Sequence, residues 1–432
     1  MKIKTPSEAL CVGMFVYELD RPWLDTPFVF QGFLIEKQAQ IDDLRLYCRF
    51  VFVDPARSTV PVMVGVNASS KVSTIPAKPP EAVESERSIL ELEDSEASPL
   101  TPTSRLLAKL RTHYPPLALV EDELPAAKQA LDRTTEAVRS ILEGVVSKGI
   151  LDSKSLHESI EEVTESVIRN PDALLLLSYL RRKSKYAYDH ALSVSIHLLA
   201  FGRHMGLPKK QMQILGEAGL LLDVGMGRLP EGILEKKGNL SSEEYEAMKE
   251  HVQFSLEIIH SNPGFSPQTA EIIAQHHERE NGSGYPLGLK ERQITLLGKM
   301  AAIVDCFVAL ISERPYADSI SPLDALQRLY NWRKDYYHED MVEQFIQCLG
   351  PYPVGSFVEL NTGEVAIVLA HNRIRRLKPK VMAVLDADKK AYASPIMLDL
   401  INNPLTCNAQ PYEIKRSLPG GVYEVDLKEF YH

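Results

Sequence analysis

The sequence predicts a mainly α-helical protein with a small α/β domain at its N-terminus and a small β-containing appendage at its C-terminus. Three observations predict it. From about residue 105 to 350, runs such as "AAKQALDRTTEAVRSILEGVV" repeat apolar residues at helical spacing. Before residue 68, short β-rich runs, "FVFQGFLI" and "RFVFVDP", alternate with turn residues. After residue 350 the pattern changes again, and alternation around Asn361-Thr362-Gly363 reads as a hairpin.

These segments set the expected boundaries. Residues 1–68 form the small N-terminal domain. Residues 69–104 form a linker, because "IPAKPPEAVESERSILELEDSEASPLTPTS" is rich in Pro, Ser and Glu and cannot build a core. Residues 105–350 form the helical domain, with its core at 180–350, and residues 351–432 form the appendage. The 432 residues show no internal repeat.

Composition narrows the function. The chain is 44% apolar and 25% charged, with a formal net charge of −10. That balance argues against a nucleic-acid polymer or an anionic membrane as partner, since their binders carry a basic face. A single small phosphate pocket stays open. The five cysteines are scattered without a CxxC pair, which fits reduced thiols. The start, "MKIKTPSEALCVGMFV", has no apolar signal core, and no run approaches the roughly 18 apolar residues of a membrane span. A cytoplasmic protein is expected.

The chemistry lies in acids and histidines on apolar helices. In "GLLLDVGMGRLPEGIL", Asp223 follows three leucines. In "KMAAIVDCFVALIS", Asp305 is the one acid of an apolar helix. A buried carboxylate needs a strong partner, such as a metal or an arginine. His276 and His277 end a helix that Ser266 can cap, with Pro267 in its first turn, and the chain then breaks into a glycine-rich loop. His251 lies on a helix opened by a capping box, Ser241 to Glu244, on a face shared with Met248, Val252, Ser255 and Ile259. His190 sits on another apolar stripe. Surface histidines and hydrogen-bonded core histidines are the plain alternatives, and His197 and His204 are read that way. For the other six residues, one shared ion pocket replaces six separate explanations. Imidazole and carboxylate are ligands of iron, manganese and zinc, and two ions bridged by a carboxylate suit attack on a phosphoryl group.

The order His190, Asp223, His251, His276-His277 and Asp305 resembles the HD-GYP family, the branch of the HD phosphohydrolases that cleaves cyclic di-GMP. "HHERENGSGYPLGL" is similar to its signature segment and "IVDCFVALISERPY" to its closing segment, and the match covers roughly residues 180–350. "VGMFVYELDRPWLDTPFVFQGFLI" resembles the small domain that precedes some bacterial HD-GYP domains. The resemblance implies an HD-type helical bundle carrying a metal site. One ion would use His190, Asp223, Asp305 and the position held here by Leu222. The other would use Asp223, His251, His276 and His277. Candidate substrate contacts are Tyr285, Lys290, Arg314 and Tyr316, with Lys290 equally readable as a solvated loop charge.

The departures are specific. The family's His-Asp pair is Leu222-Asp223 here, and its lysine is Met226. A glutamate that some members use for a further metal falls near Tyr186. Val308 stands for an acid, Ala317 for a base and Asn281 for an aspartate. Asp223 is thus the catalytic remnant of a broken dyad. The expectation is a cyclic di-GMP signalling protein with one iron or manganese ion and impaired or lost hydrolysis. A working phosphodiesterase and a scaffold for other signalling proteins are the alternatives, and a homodimer is compatible with all three.

Overall fold

A computed structural model describes residues 3–20, 33–35, 37–55, 57–60, 112–115, 117–148, 152–180, 186–230, 232–234, 236, 238, 240–313, 319–372, 375–420 and 423. The chain divides into two units, residues 1–20 with 32–110 and residues 21–31 with 111–432. The expected linker at 69–104, together with Arg314, Tyr316 and Ala317, lies outside the described residues, as does the side chain of Tyr186.

In the first unit, β1 (Ile3–Pro6), β2 (Phe15–Leu19), β3 (Phe33–Leu34) and β4 (Phe50–Val53) form an antiparallel sheet in the order β1-β4-β2-β3. Alternation in β4 sends Val51 and Val53 into the core and leaves Phe50 and Phe52 partly exposed. Helix α1 (Gln38–Tyr47) adds Ile41 and Leu44 to the buried set, three residues apart and therefore on one face.

The second unit holds ten helices among the described residues: α2 (Val120–Lys148), α3 (Ser153–Arg169), α4 (Pro171–Leu180), α5 (Tyr186–Met205), α6 (Lys209–Leu221), α7 (Ser242–His260), α8 (Pro267–Gln275), α9 (Leu296–Ile311), α10 (Pro322–Trp332) and α11 (Glu339–Leu349). Their starts follow side-chain chemistry. Ser241 and Glu244 form the reciprocal capping box of α7, and Ser266, Thr295 and Ser321 cap α8, α9 and α10. Helices α5 and α6 pack closely because Gly219 has no side chain. A Cβ there would lie 2.8 Å from the Ser195 Cα. Helix α9 runs through the centre against α5, α8, α10 and α11, with Met300, Ile303, Val304 and Phe307 buried.

A short 3-10 turn, Val224–Arg228, follows α6 and carries the chain past Asp223 onto α7. Ser255 of α7 fastens it. The hydroxyl donates to the Leu222 carbonyl and accepts from the Gly225 N–H, both at 2.9 Å. Gly225 must be glycine, because a Cβ would stand 2.3 Å from the His251 carbonyl oxygen.

After α11, the strands β5 (Phe357–Leu360), β6 (Val365–Ala370), β7 (Lys380–Leu385), β8 (Ala391–Asp399) and β9 (Ile414–Leu418) form an antiparallel sheet in the order β8-β7-β6-β5-β9. The expected hairpin joins β5 to β6, with Gly363 at φ +91 in its turn. The sheet meets the bundle where the Gly355 backbone lies against the Tyr179 ring, leaving a Cβ only 2.5 Å of room. The fold is therefore a helical bundle with small β-containing parts toward both ends. No helix among the described residues is long and apolar enough to cross a membrane.

His197 is a core residue. It is 1% exposed, donates Nδ1–H to the Ser193 carbonyl at 2.7 Å, and packs against Tyr179 and Phe307. Burial pushes its pKa down to about 4. The unfolded chain therefore takes up a proton that the folded one refuses between pH 6.5 and 4, and folding loses stability as pH falls through that window, by roughly 1.4 kcal/mol per unit. His197→Phe should flatten the acid limb of the stability profile measured by chemical denaturation. An unchanged slope would exclude His197 as its source. Ser255→Ala should cost about 1–3 kcal/mol, because the buried Gly225 N–H loses its acceptor. Equal melting temperatures for Ser255→Ala and the parent chain would show that the turn is held by other contacts.

Candidate metal centre

The six expected ligands come from five separate places in the chain. His190 lies early in α5, Asp223 follows α6, His251 is midway along α7, His276 and His277 follow α8, and Asp305 sits in α9. The structure brings all six together. The ligand atoms of Asp223, His251, His276 and His277 lie within 4.8 Å of one another, and so do those of His190, Asp223 and Asp305. Asp223 is common to both groups.

Hydrogen bonds fix two of the imidazoles. His251 Nδ1 faces the Met248 carbonyl at 2.6 Å and His276 Nδ1 faces the Ile273 carbonyl at 2.7 Å. A carbonyl only accepts, so each Nδ1 carries the proton and each Nε2 presents a lone pair. Those lone pairs point toward Asp223 Oδ1, from 3.4 Å for His251 and 3.8 Å for His276. All three atoms are buried without a hydrogen-bond partner among the described residues. The 3.8 Å gap is too long for a hydrogen bond, and 3.4 Å is at its outer edge. Atoms bound at about 2.1 Å to one ion stand roughly 3–3.5 Å apart, so the spacing fits ligands arranged around a common centre.

Electrostatics agree. Burial pulls the pKa values of His276 and His277 below the usual imidazole range, so both rings favour the neutral form that binds metals. For Asp305, burial raises the carboxyl. The hydrogen bond from His190, with the imidazoles crowded around the carboxylate, outweighs burial and holds it below the carboxylate range. Three imidazoles and a carboxylate are a fitting donor set for a divalent transition metal.

The second group is arranged differently. His190 Nε2 bonds directly to Asp305 Oδ1 at 3.0 Å and stands 3.6 Å from Asp223 Oδ2. Leu222, at the dyad's histidine position, is 2% exposed and contributes hydrocarbon to the core. Met226 is half-buried and Val308 fully buried, so neither supplies charge where the family has a lysine and an acid.

The expected substrate contacts divide. The Tyr285 ring lies 4.6 Å from the His277 ring, at the rim of the centre. Lys290 is exposed, its stem crossing Gly282. Asn281 is exposed and accepts from the Ser283 N–H at 2.9 Å.

The supporting roles of four residues escaped the sequence reading. Glu278 is 1% exposed and accepts from the N–H groups of Leu287 and Leu289 at 2.7 and 2.9 Å, pinning the glycine-rich loop. Gln275 Oε1 accepts from the backbone and hydroxyl of Thr295, tying α8 to the start of α9. Ser255 holds the Asp223 turn. Lys249 places its ammonium 5.7 Å from the Tyr285 ring centroid, a cation beside the rim. A charged residue directly after the two histidines was the only available signal for Glu278.

Three sequence families match in succession. Residues 2–155 match a domain of unknown function (DUF3391), residues 175–341 an HD domain, and residues 357–407 a KOW domain associated with the HD domain. A Pseudomonas aeruginosa protein named as a cyclic di-GMP phosphodiesterase is 29% identical over 401 residues, 92% of this chain and 88% of the relative. A cyclic di-GMP phosphodiesterase of Thermotoga maritima is 31% identical over 48% of this chain and 56% of its own. A 3'3'-cGAMP-specific phosphodiesterase of Vibrio cholerae is 34% identical over 34% of each chain. Among solved structures, an HDG"Y"P protein from Bdellovibrio bacteriovorus aligns with a TM-score of 0.44 and 19% identity, covering 52% of this chain and 71% of its own. The chain thus carries an HD domain at residues 175–341, between a match to DUF3391 and a KOW domain associated with the HD domain, and is similar along most of its length to a protein named as a cyclic di-GMP phosphodiesterase.

Proposed function

We propose that this protein works in cyclic di-GMP signalling, holds one divalent ion, iron or manganese, and hydrolyses the nucleotide slowly or not at all. One contrast carries the reading. Asp223 Oδ1, His251 Nε2 and His276 Nε2 lie buried and unbonded around a common point, while His190 and Asp305 already satisfy each other. Asp223, His251, His276 and His277 would hold the ion. A divalent ion at such a site supplies Lewis acidity toward a phosphoryl oxygen and lowers the pKa of a nearby water. Tyr285 and Lys249 stand where a bound cyclic dinucleotide would meet the rim.

Impaired hydrolysis follows from Leu222 and Met226. Leucine has no atom to offer an ion, and methionine has no charge for a phosphate oxygen. Losing one charge-stabilising donor typically costs about a hundredfold or more in rate. We further propose the division into an N-terminal domain, a linker, a helical domain and a C-terminal appendage set out above, and a cytoplasmic setting.

A second reading, a working phosphodiesterase, is favoured by the name and the 88% coverage of the Pseudomonas aeruginosa relative. The readings part on two measurements. Elemental analysis of the purified protein should find about one tightly held ion per chain, lost in His276→Ala. Loaded with manganese or iron, the protein should turn over cyclic di-GMP slowly, and Leu222→His with Met226→Lys should raise the rate by about a hundredfold. Ordinary enzymatic turnover that His276→Ala abolishes would establish the working enzyme instead. Absence of any bound ion would leave the scaffold reading.

A further inference from the structure

A cavity of about 540 Å³ lies between helices α2 and α4 and the C-terminal sheet, and none of its described lining residues is a candidate metal ligand. Leu124 of α2, Leu176 of α4, Leu369 of β6, Met382 of β7 and Met397 of β8 wall it. Leu176, Leu369 and Met382 are buried, whereas Met397 is 49% exposed and borders solvent. Met382 and Met397 pair directly across β7 and β8, so both side chains stand on one face of the sheet. Unbranched thioethers adapt to the shape of whatever lies against them.

The charge at the edge comes from one face of α2, where Glu121, Leu124 and Lys128 follow at spacings of three and four residues. Glu121 is taken up by the Lys380 ammonium, which bonds its carboxylate and holds its pKa below the usual range. Lys128 is exposed and has no ion-pair or hydrogen-bond partner among the described residues. The cavity therefore combines apolar walls with one uncommitted cation. A mostly apolar lining with a few polar groups that fix orientation is the general form of a small-molecule site. An apolar cavity of about 150 Å³ already takes up a benzene ring, so this one has room for a chain of several methylenes. A cationic head would be repelled by Lys128, and a plain hydrocarbon would leave that ammonium unused.

We propose that this cavity binds a medium-chain carboxylate, its alkyl chain lying between α2, α4 and the sheet and its head on Lys128. A cyclic dinucleotide has two phosphates and no long apolar part, which separates this chemistry from that of the metal centre. The occupant would touch both helices and three strands of the sheet, so its binding bears on how the sheet seats against the bundle.

Decanoate is the probe and decyltrimethylammonium its control, with the same chain and the opposite head. On the full chain, below micelle-forming concentration, calorimetry should show saturable decanoate binding, with the control at least about tenfold weaker. Across hexanoate, octanoate and decanoate, affinity should rise by about fourfold per CH₂. Lys128→Glu, at an exposed position, should reverse the preference between the two heads. Met397→Trp, also at an exposed position, should narrow the cavity and weaken decanoate by about tenfold. Absence of saturable decanoate binding at millimolar concentration would overturn the proposal, whether the cavity stays empty or is covered by a second copy of the chain. So would equal affinity for the two heads in the parent chain, affinity independent of chain length, or decanoate binding indifferent to both variants.

Discussion

Two imidazole lone pairs and a carboxylate oxygen, turned toward one another in a buried space, set the terms for the helical unit. Such atoms repel unless positive charge lies between them, and each unsatisfied polar group costs about 1–3 kcal/mol when buried. The surrounding structure nevertheless holds them in place. The Met248 and Ile273 carbonyls fix the tautomers of His251 and His276. Ser255 clips the Asp223 turn to α7, and Gly225 lets the turn approach the His251 backbone. A packing scheme this costly without a ligand is the signature of a site built for a cation.

The same geometry shows why an HD-domain match does not settle chemistry. Asp223 faces both groups, yet only one of them leaves atoms in want of a partner. In the other, the 3.0 Å bond between His190 and Asp305 does within the protein what an ion would otherwise do between them. Leu222, a buried hydrocarbon side chain, adds nothing to the group that has three members, while the other set has four. The consequence is local, because the three imidazoles of the intact set come from α7 and the end of α8, and its one carboxylate, Asp223, is retained beside Leu222.

What the sequence made legible was what depends on neighbours along the chain. The capping box at Ser241 and Glu244, the cap at Ser266 with Pro267, and the hairpin at Asn361-Thr362-Gly363 all lie where local chemistry places them. The acids at 223 and 305 stood out because an apolar helix gives a carboxylate no partner of its own, and the six ligand candidates do converge. The supporting residues were hidden because their roles need the third dimension. Ser255 looks like a small residue on an inward face until the Asp223 turn, 30 residues earlier, lies against it. Lys249 reads as a surface charge until Tyr285 arrives from another loop. Lys290 reads along the chain equally as a phosphate contact or a loop charge, and only the folded loop brings its stem across Gly282.

The glycine-rich loop after His277 shows how a motif can be held in place by structure alone. Gly284 packs so closely on the preceding turn that a Cβ would stand 2.5 Å from the His277 carbonyl oxygen. Glu278 spends both carboxylate oxygens on the Leu287 and Leu289 N–H groups. Lys299 pairs with Glu280 at 2.9 Å, and Tyr285 covers His277. Each of these residues has a packing or hydrogen-bonding role that does not require turnover. Replacing any of them would unfasten the loop from a helix end that also positions two imidazoles. Their presence therefore testifies to the shape of the pocket. Leu222 and Met226 carry no comparable structural demand for histidine or lysine, so those positions are where loss of hydrolysis can be written into the sequence without loss of the fold.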